Sequence, residues 1–178
     1  SSLCTAIQQS MPSAMLNRDI SGNFRKTRAA ALEQPGVSIA ASSSFNSDAL
    51  QDIPTIASVR ATDFIGNPQL QSEVFGSFSL LVVCENMSEM LQVAQQMEGQ
   101  LTSTVIATEE EVAQYLPLIE EIQNHCGRFI FNGVPTGVEV VQGMHHGGPF
   151  PASTDSRFTS VGADAIKRFS RPVCFQNW

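Results

Sequence analysis

The 178 residues carry 17 Asp and Glu against 10 Lys and Arg, a formal net charge of −7. No positive cluster is visible, which excludes the electrostatic footprint of a nucleic-acid binder. Apolar residues make up 42% of the chain, enough for a core and too many for wholesale disorder. The longest apolar run, Leu80 to Cys84, is strand-sized and far short of a membrane helix.

The length suits one domain or a piece of a larger one. Ser1-Ser2-Leu3-Cys4 has neither the basic start nor the apolar block of a secretory leader. Cys4, Cys84, Cys126 and Cys174 are widely spread, with no C-x-x-C pair. A reducing cytoplasm is the expected setting, with no membrane and no nucleic-acid partner.

In chain order, Leu3, Cys4 and Ile7 share one helical face. Ile20, Phe24, Ala31 and Leu32 predict a helix from about Asn17 to Glu33, weakened by Gly22 and stopped by Pro35-Gly36. Val37–Ala41 and Thr55–Ala61 read as strands, and the serine-rich stretch 42–48 as loop. The clearest signal spans 78–132. Phe78–Cys84 reads as a strand. Met90, Leu91, Ala94 and Met97 mark a helical face that Gly99 closes as its C′ residue. Ser103–Ala107 is a β-branched strand, and Thr108 with Glu111 fits a capping box. Val112, Tyr115, Ile119, Ile122 and Cys126 continue the helical stripe. Pro117 either kinks it or opens a second helix. Gly127 is expected to end it, before a third strand at 128–132.

Strand, helix, strand, helix, strand predicts an α/β fold: a parallel βαβαβ sheet with helices on both faces. In such sheets ligands bind beyond the carboxyl ends of the strands. From Gly133 to Gly162 a long glycine-rich loop follows. Its length marks it as functional, and Val138, Val140, Val141 and Phe150 mark it as packed. Ala163–Phe169 is expected to be a short helix, and Arg171–Phe175 a final strand that Pro172 confines to an edge.

On residues alone the chemistry stays open. His145-His146-Gly147-Gly148 could bind a metal, line a pocket or pack as loop. Adjacent histidines on extended chain face opposite sides, so no metal is expected. Cys4 could be a nucleophile, but its neighbours are neutral, and a buried structural thiol is the expected reading. Glu73 could accept hydrogen bonds from ligand hydroxyls or stand solvated, and Phe75 could pack on a flat ring or in a core. No P-loop, G-x-G-x-x-G or G-x-S-x-G pattern is present.

Longer motifs point further. Ser72-Glu73-Val74-Phe75-Gly76 resembles the Glu-Val/Ile-Phe-Gly-Pro signature of the aldehyde dehydrogenase superfamily. Glu98-Gly99-Gln100-Leu101-Thr102-Ser103-Thr104 and Phe131-Asn132-Gly133-Val134-Pro135-Thr136-Gly137 are similar to one branch of it, as is His146-Gly147-Gly148-Pro149-Phe150-Pro151-Ala152-Ser153-Thr154. That branch holds the NADP-dependent α-ketoglutaric semialdehyde and fatty aldehyde dehydrogenases. The resemblance runs from about Met15 to the end.

The resemblance implies an oxidoreductase that converts an aldehyde (a semialdehyde) to a carboxylate with NADP, through thiolate attack and hydride transfer to the nicotinamide. It places Glu73 on the nicotinamide ribose hydroxyls and Phe75 beside the nicotinamide. His146 would line the aldehyde tunnel, and the Gly137–Val141 stretch, with Val140, would form another wall. It makes residues 1–162 the carboxy-terminal portion of the catalytic domain, and 163–178 a helix and oligomerisation strand of a homo-oligomer. The family's Pro after Phe-Gly is Ser77 here. The family's nucleophilic cysteine, general base and dinucleotide domain lie upstream of the matching region. No catalytic residue is therefore carried onto this chain, Cys4 included, and the chain alone is expected to be inactive. Two alternatives stand beside this reading: a non-catalytic assembly module, and a metal enzyme built on His145-His146.

Overall fold

The Asn17 side chain accepts the Ile20 amide at 2.9 Å and so caps the longest helix, α2 (Arg18–Leu32), with Glu33 as its C-cap. This matches the expected 17–33 helix, and Gly22 is tolerated inside it. The computed structural model describes residues 2–177 and divides into two units, Ser1–Val93 and Ala94–Trp178. Each is taken by itself.

The first unit opens with α1 (Ser2–Gln9), followed by α2. Strand β1 (Ser38–Ser42) pairs antiparallel with β2 (Thr55–Arg60), and β2 pairs in parallel with β3 (Phe78–Val83). Helix α3 (Ala61–Ile65) and a 3-10 turn at Pro68–Gln71 make the crossover between the parallel strands. The central strand β2 is buried almost throughout, as a strand covered on both faces must be. Phe24, Ile56, Ala57, Val59, Ala61, Phe64 and Leu70 are buried and form the core. Arg28 on α2 donates from Nε to the buried Thr55 hydroxyl at 2.9 Å, tying helix to sheet. Burial of that guanidinium lowers its pKa from the ordinary value.

The second unit holds β4 (Gln100–Val105) and β5 (Cys126–Phe131), a parallel pair joined through α5 (Glu109–Gln114) and α6 (Leu116–Asn124). Thr108 and Glu111 form the expected capping box, and Pro117 opens α6 rather than kinking one long helix. Leu118 and Ile119 of α6 are buried, and α6 packs on both strands. Helix α4 (Met87–Gln96) precedes β4.

Several expectations change in detail. In the first unit β3 takes β2 as its parallel partner over its whole length, and in the second β4 takes β5. Gly99 and Gly127 are not helix terminators. Helices α4 and α6 end at Gln96 and Asn124, and both glycines serve a close backbone approach described below. Ala163–Phe169 is a 3-10 helix. At 171–175, where a strand was expected, none is assigned among the described residues.

The box is built from two bonds: Thr108 Oγ1 accepts the Glu111 amide at 3.3 Å, and Glu111 Oε2 accepts the Thr108 amide at 2.8 Å. Thr108→Ala should therefore cost about 1 kcal/mol, read as a lower urea midpoint at unchanged slope.

Candidate functional site

In the first unit, the segment Glu73–Ser77 leads into β3. Gly76 lies with its Cα against the ring of the fully buried Phe24, where any side chain would collide, and it sits at φ +155°. The Ser77 carbonyl accepts the Thr55 amide at 2.9 Å, and the Phe78 amide donates to the Gly76 carbonyl at 2.8 Å. Glu73 is exposed and borders a cleft of about 210 Å³. The opposite wall is Thr27, Ala30 and Ala31 of α2, with Gln34 just beyond its end. Phe75, two residues on, keeps 57% of its surface open. A carboxylate and an aromatic ring are thus presented outward from a turn whose base is fixed.

In the second unit, two stretches of main chain meet without side chains between them. A Cβ on Gly127 would come within 2.6 Å of the Gly147 carbonyl carbon, and one on Gly148 within 2.5 Å of the Gln100 carbonyl. Gly99 lies equally close against Pro149. The loop 147–149 is therefore seated on the starts of β4 and β5, which is why glycine stands at 99, 127, 147 and 148. His146 is placed by the same contact. Its amide donates to the Thr159 hydroxyl at 2.8 Å, and its carbonyl accepts the Ser160 amide and hydroxyl at 3.0 and 2.9 Å.

His146 lines a cleft of about 300 Å³ with Leu101, Thr154, Asp155, Phe158 and Arg168 among its neighbours. Its Nδ1 is buried and has no hydrogen-bond partner among the described residues. Such an atom costs free energy unless something supplies a bond. Val140, expected in the wall, stands 84% exposed and is not among the lining residues.

The three arginines of this region differ in what they are tied to. Arg128 clasps the loop, donating to the Pro135 carbonyl at 2.9 Å and the Gly137 carbonyl at 2.5 Å. Arg157 forms a two-bond pair with Asp155, at 3.0 and 2.6 Å. Arg168 is exposed, lines the His146 cleft and has no ion pair among the described residues. The sequence offers Arg128, Arg157 and Arg168 as available cations without assigning one; lining the cleft without an ion pair distinguishes Arg168.

The thiols offer no activated nucleophile in the pattern seen. Burial, and then the charge of Glu89, raise the Cys84 pKa, the opposite of activation. Cys4 sits half-buried in α1. Among the described residues no three His, Cys, Asp or Glu side chains gather to hold a metal ion, and no helix is long and apolar enough to cross a membrane.

No family model matches the chain. It is 39% identical over 176 residues to the alpha-ketoglutaric semialdehyde dehydrogenase of Acinetobacter baylyi, covering 98% of this chain and 34% of that protein. Alpha-ketoglutaric semialdehyde dehydrogenase 2 of Azospirillum brasilense is 38% identical over 174 residues, covering 97% of this chain and 33% of its own length. The betaine aldehyde dehydrogenase of Staphylococcus aureus, solved with NAD+, superposes with a TM-score of 0.66 at 14% identity, over 88% of this chain and 30% of that one.

Over nearly its whole length the chain is similar to members of the aldehyde dehydrogenase superfamily.

It spans about a third of the length of the curated relatives it matches. PnpE of Pseudomonas sp. WBC-3 shares the superfamily fold with a TM-score of 0.65 at 23% identity, over 86% of this chain and 29% of that one. The α/β architecture expected from the sequence is thus the aldehyde dehydrogenase fold.

Two outcomes follow from these contacts. Hydrogen bonds from Arg157 hold the Asp155 carboxyl down at about 2. With a folded pKa below the ordinary carboxylate value, the pair favours the folded form above about pH 4 and fades as pH falls through about 2. A carbon-detected titration should therefore find Asp155 ionised at pH 3, and Arg157→Gln should return its midpoint to the ordinary range. Gly127→Ala should destabilise the second unit by about 1–3 kcal/mol in denaturant unfolding, because backbone cannot yield as a side-chain tip does.

Proposed function

We propose that this chain is the carboxy-terminal part of the catalytic domain of an NADP-dependent aldehyde dehydrogenase acting on a semialdehyde. The observation that carries the reading is the His146 cleft, with its buried, unpartnered Nδ1 and its unpaired Arg168. The printed substrate of both curated relatives, α-ketoglutaric semialdehyde, supports it. A semialdehyde carries a carboxylate, which asks for a cation. Arg128 and Arg157 are engaged, and Arg168 is the guanidinium left to bind it. His146 then serves as a polar wall beside the aldehyde end.

The residues of the first unit fit a nicotinamide nucleotide. Glu73 offers a solvent-facing acceptor to ribose hydroxyls, and the open Phe75 ring suits a flat heterocycle. Ala30 and Ala31 keep the facing wall low. When bound, NADP supplies the electron acceptor for aldehyde oxidation. The chain's own residues orient and bind, and the reacting sulfur belongs to none of them, so the chain alone turns nothing over. The tail 163–178 serves as the oligomerisation segment, pairing with the sheet of a second copy.

A second reading, a non-catalytic assembly role, is favoured by the apolar face of β3, where Leu81 and Val83 are 42% and 55% exposed.

Titrating α-ketoglutarate, the product of such an oxidation, should shift the His146 ring signals, and Arg168→Gln should weaken the shift about tenfold. No shift at millimolar ligand would remove the semialdehyde reading. Nicotinamide absorbance should stay at the blank when chain, NADP and semialdehyde are mixed. Light scattering should find a dimer or larger, and a monomer at high concentration would count against the tail's role.

A further inference from the structure

Asp52 is only 4% exposed, and nothing proposed above uses it. Its Oδ1 accepts the Ser13 amide at 2.6 Å, and its Oδ2 accepts the Ser77 hydroxyl. Its own amide donates to the Ser13 carbonyl at 3.0 Å. No ion pair reaches it among the described residues. A buried carboxylate is tolerated only when its oxygens are hydrogen-bonded, and each oxygen here has a donor. One buried acid therefore ties the chain at 13 and at 52 to the residue just before β3.

That residue is the one at which the sequence departs from the Glu-Val/Ile-Phe-Gly-Pro signature. A proline there would stiffen the turn by fixing φ, and would give up its amide donor. The Ser77 amide makes no backbone hydrogen bond, so the position has no use for the donor that proline lacks. The Ser77 carbonyl is already held by the Thr55 amide at 2.9 Å. The hydroxyl adds what the ring would have supplied: a second restraint on the same residue, made to a charged acceptor.

We infer that the Ser77–Asp52 hydrogen bond takes the place of the proline ring as the device that holds the Glu73–Phe75 segment at the head of β3. Ser77 and Asp52 are positioning residues. They touch neither cofactor nor substrate, and they act by fixing the turn whose other end presents Glu73 and Phe75. The functional meaning rests on the reading of Glu73 and Phe75 as nicotinamide-side contacts; the restraint itself does not. The two devices differ in kind. A ring restrains the unfolded chain as well as the folded one, whereas a hydrogen bond exists only when Asp52 is seated and can open locally.

The amides of Thr55 and Phe78 report on the restraint, since they donate to the Ser77 and Gly76 carbonyls. Hydrogen exchange of these two amides is to be compared in the 178-residue chain and in Ser77→Ala, Ser77→Thr and Ser77→Pro. Ser77→Ala should speed both by about tenfold, the order expected for a bond to a charged group, while the β4–β5 amides stay unchanged. Ser77→Thr should restore protection because it keeps a hydroxyl, and Ser77→Pro because it supplies the ring. Unchanged exchange in Ser77→Ala would overturn the inference. So would a uniform rise across the first unit that proline does not reverse. Nicotinamide mononucleotide added to the parent chain separates the two layers. A shift at Phe75 supports the cofactor reading, and silence there removes that reading while the exchange result still decides the restraint.

Discussion

Two lengths of main chain can lie against each other only where neither carries a side chain, and this constraint organises the second unit. Gly147 and Gly148 rest on Gly127 and on the Gln100 carbonyl, and Gly99 meets Pro149. The contact replaces side-chain packing with backbone proximity, which leaves little slack. His146 is the residue adjoining that contact, so its position is set by strands β4 and β5 rather than by the loop that carries it. A histidine with an unmet buried nitrogen is held there at a free-energy cost. The glycine seating is what makes such a placement sustainable.

The first unit solves a related problem with different means. Its turn at 73–77 is pressed onto the Phe24 ring through Gly76 and pinned to β2 through the Thr55 amide. Thr55 also receives Arg28 from α2, so one buried threonine joins helix, sheet and turn. Glu73 and Phe75, on the outer side of that turn, are left exposed.

Much of this was legible in the sequence. The cap at Asn17, the box at Thr108 and Glu111, and the helix opening at Pro117 are local signals, and local hydrogen bonding decided them. Glu73 and His146 were found through motif order, and both border clefts. What escaped the sequence is non-local. Gly99 and Gly127 read as helix stops because a glycine after an apolar stripe usually is one; the strand beneath an incoming loop leaves no mark in neighbouring residues. The pairing of β3 with β2 escaped for the same reason, since a crossover helix says that strands are parallel but not which strands meet. Val140 read as packed because it is apolar, yet the loop turns it outward. Arg168 emerged only once the partners of Arg128 and Arg157 were known.

Asn132 follows β5 at φ 48° and precedes Gly133. Its side chain accepts the Ala107 amide and donates to the Ala107 carbonyl, both at 2.9 Å, and so joins the ends of β4 and β5. An asparagine before glycine is the pair most prone to lose its amide nitrogen with age. Here the reactive amide is held at both ends, so the fold slows its own chemical decay. Should the conversion occur, a carboxylate would face the Ala107 carbonyl without a proton to share, and the knot between the two strands would become a repulsion.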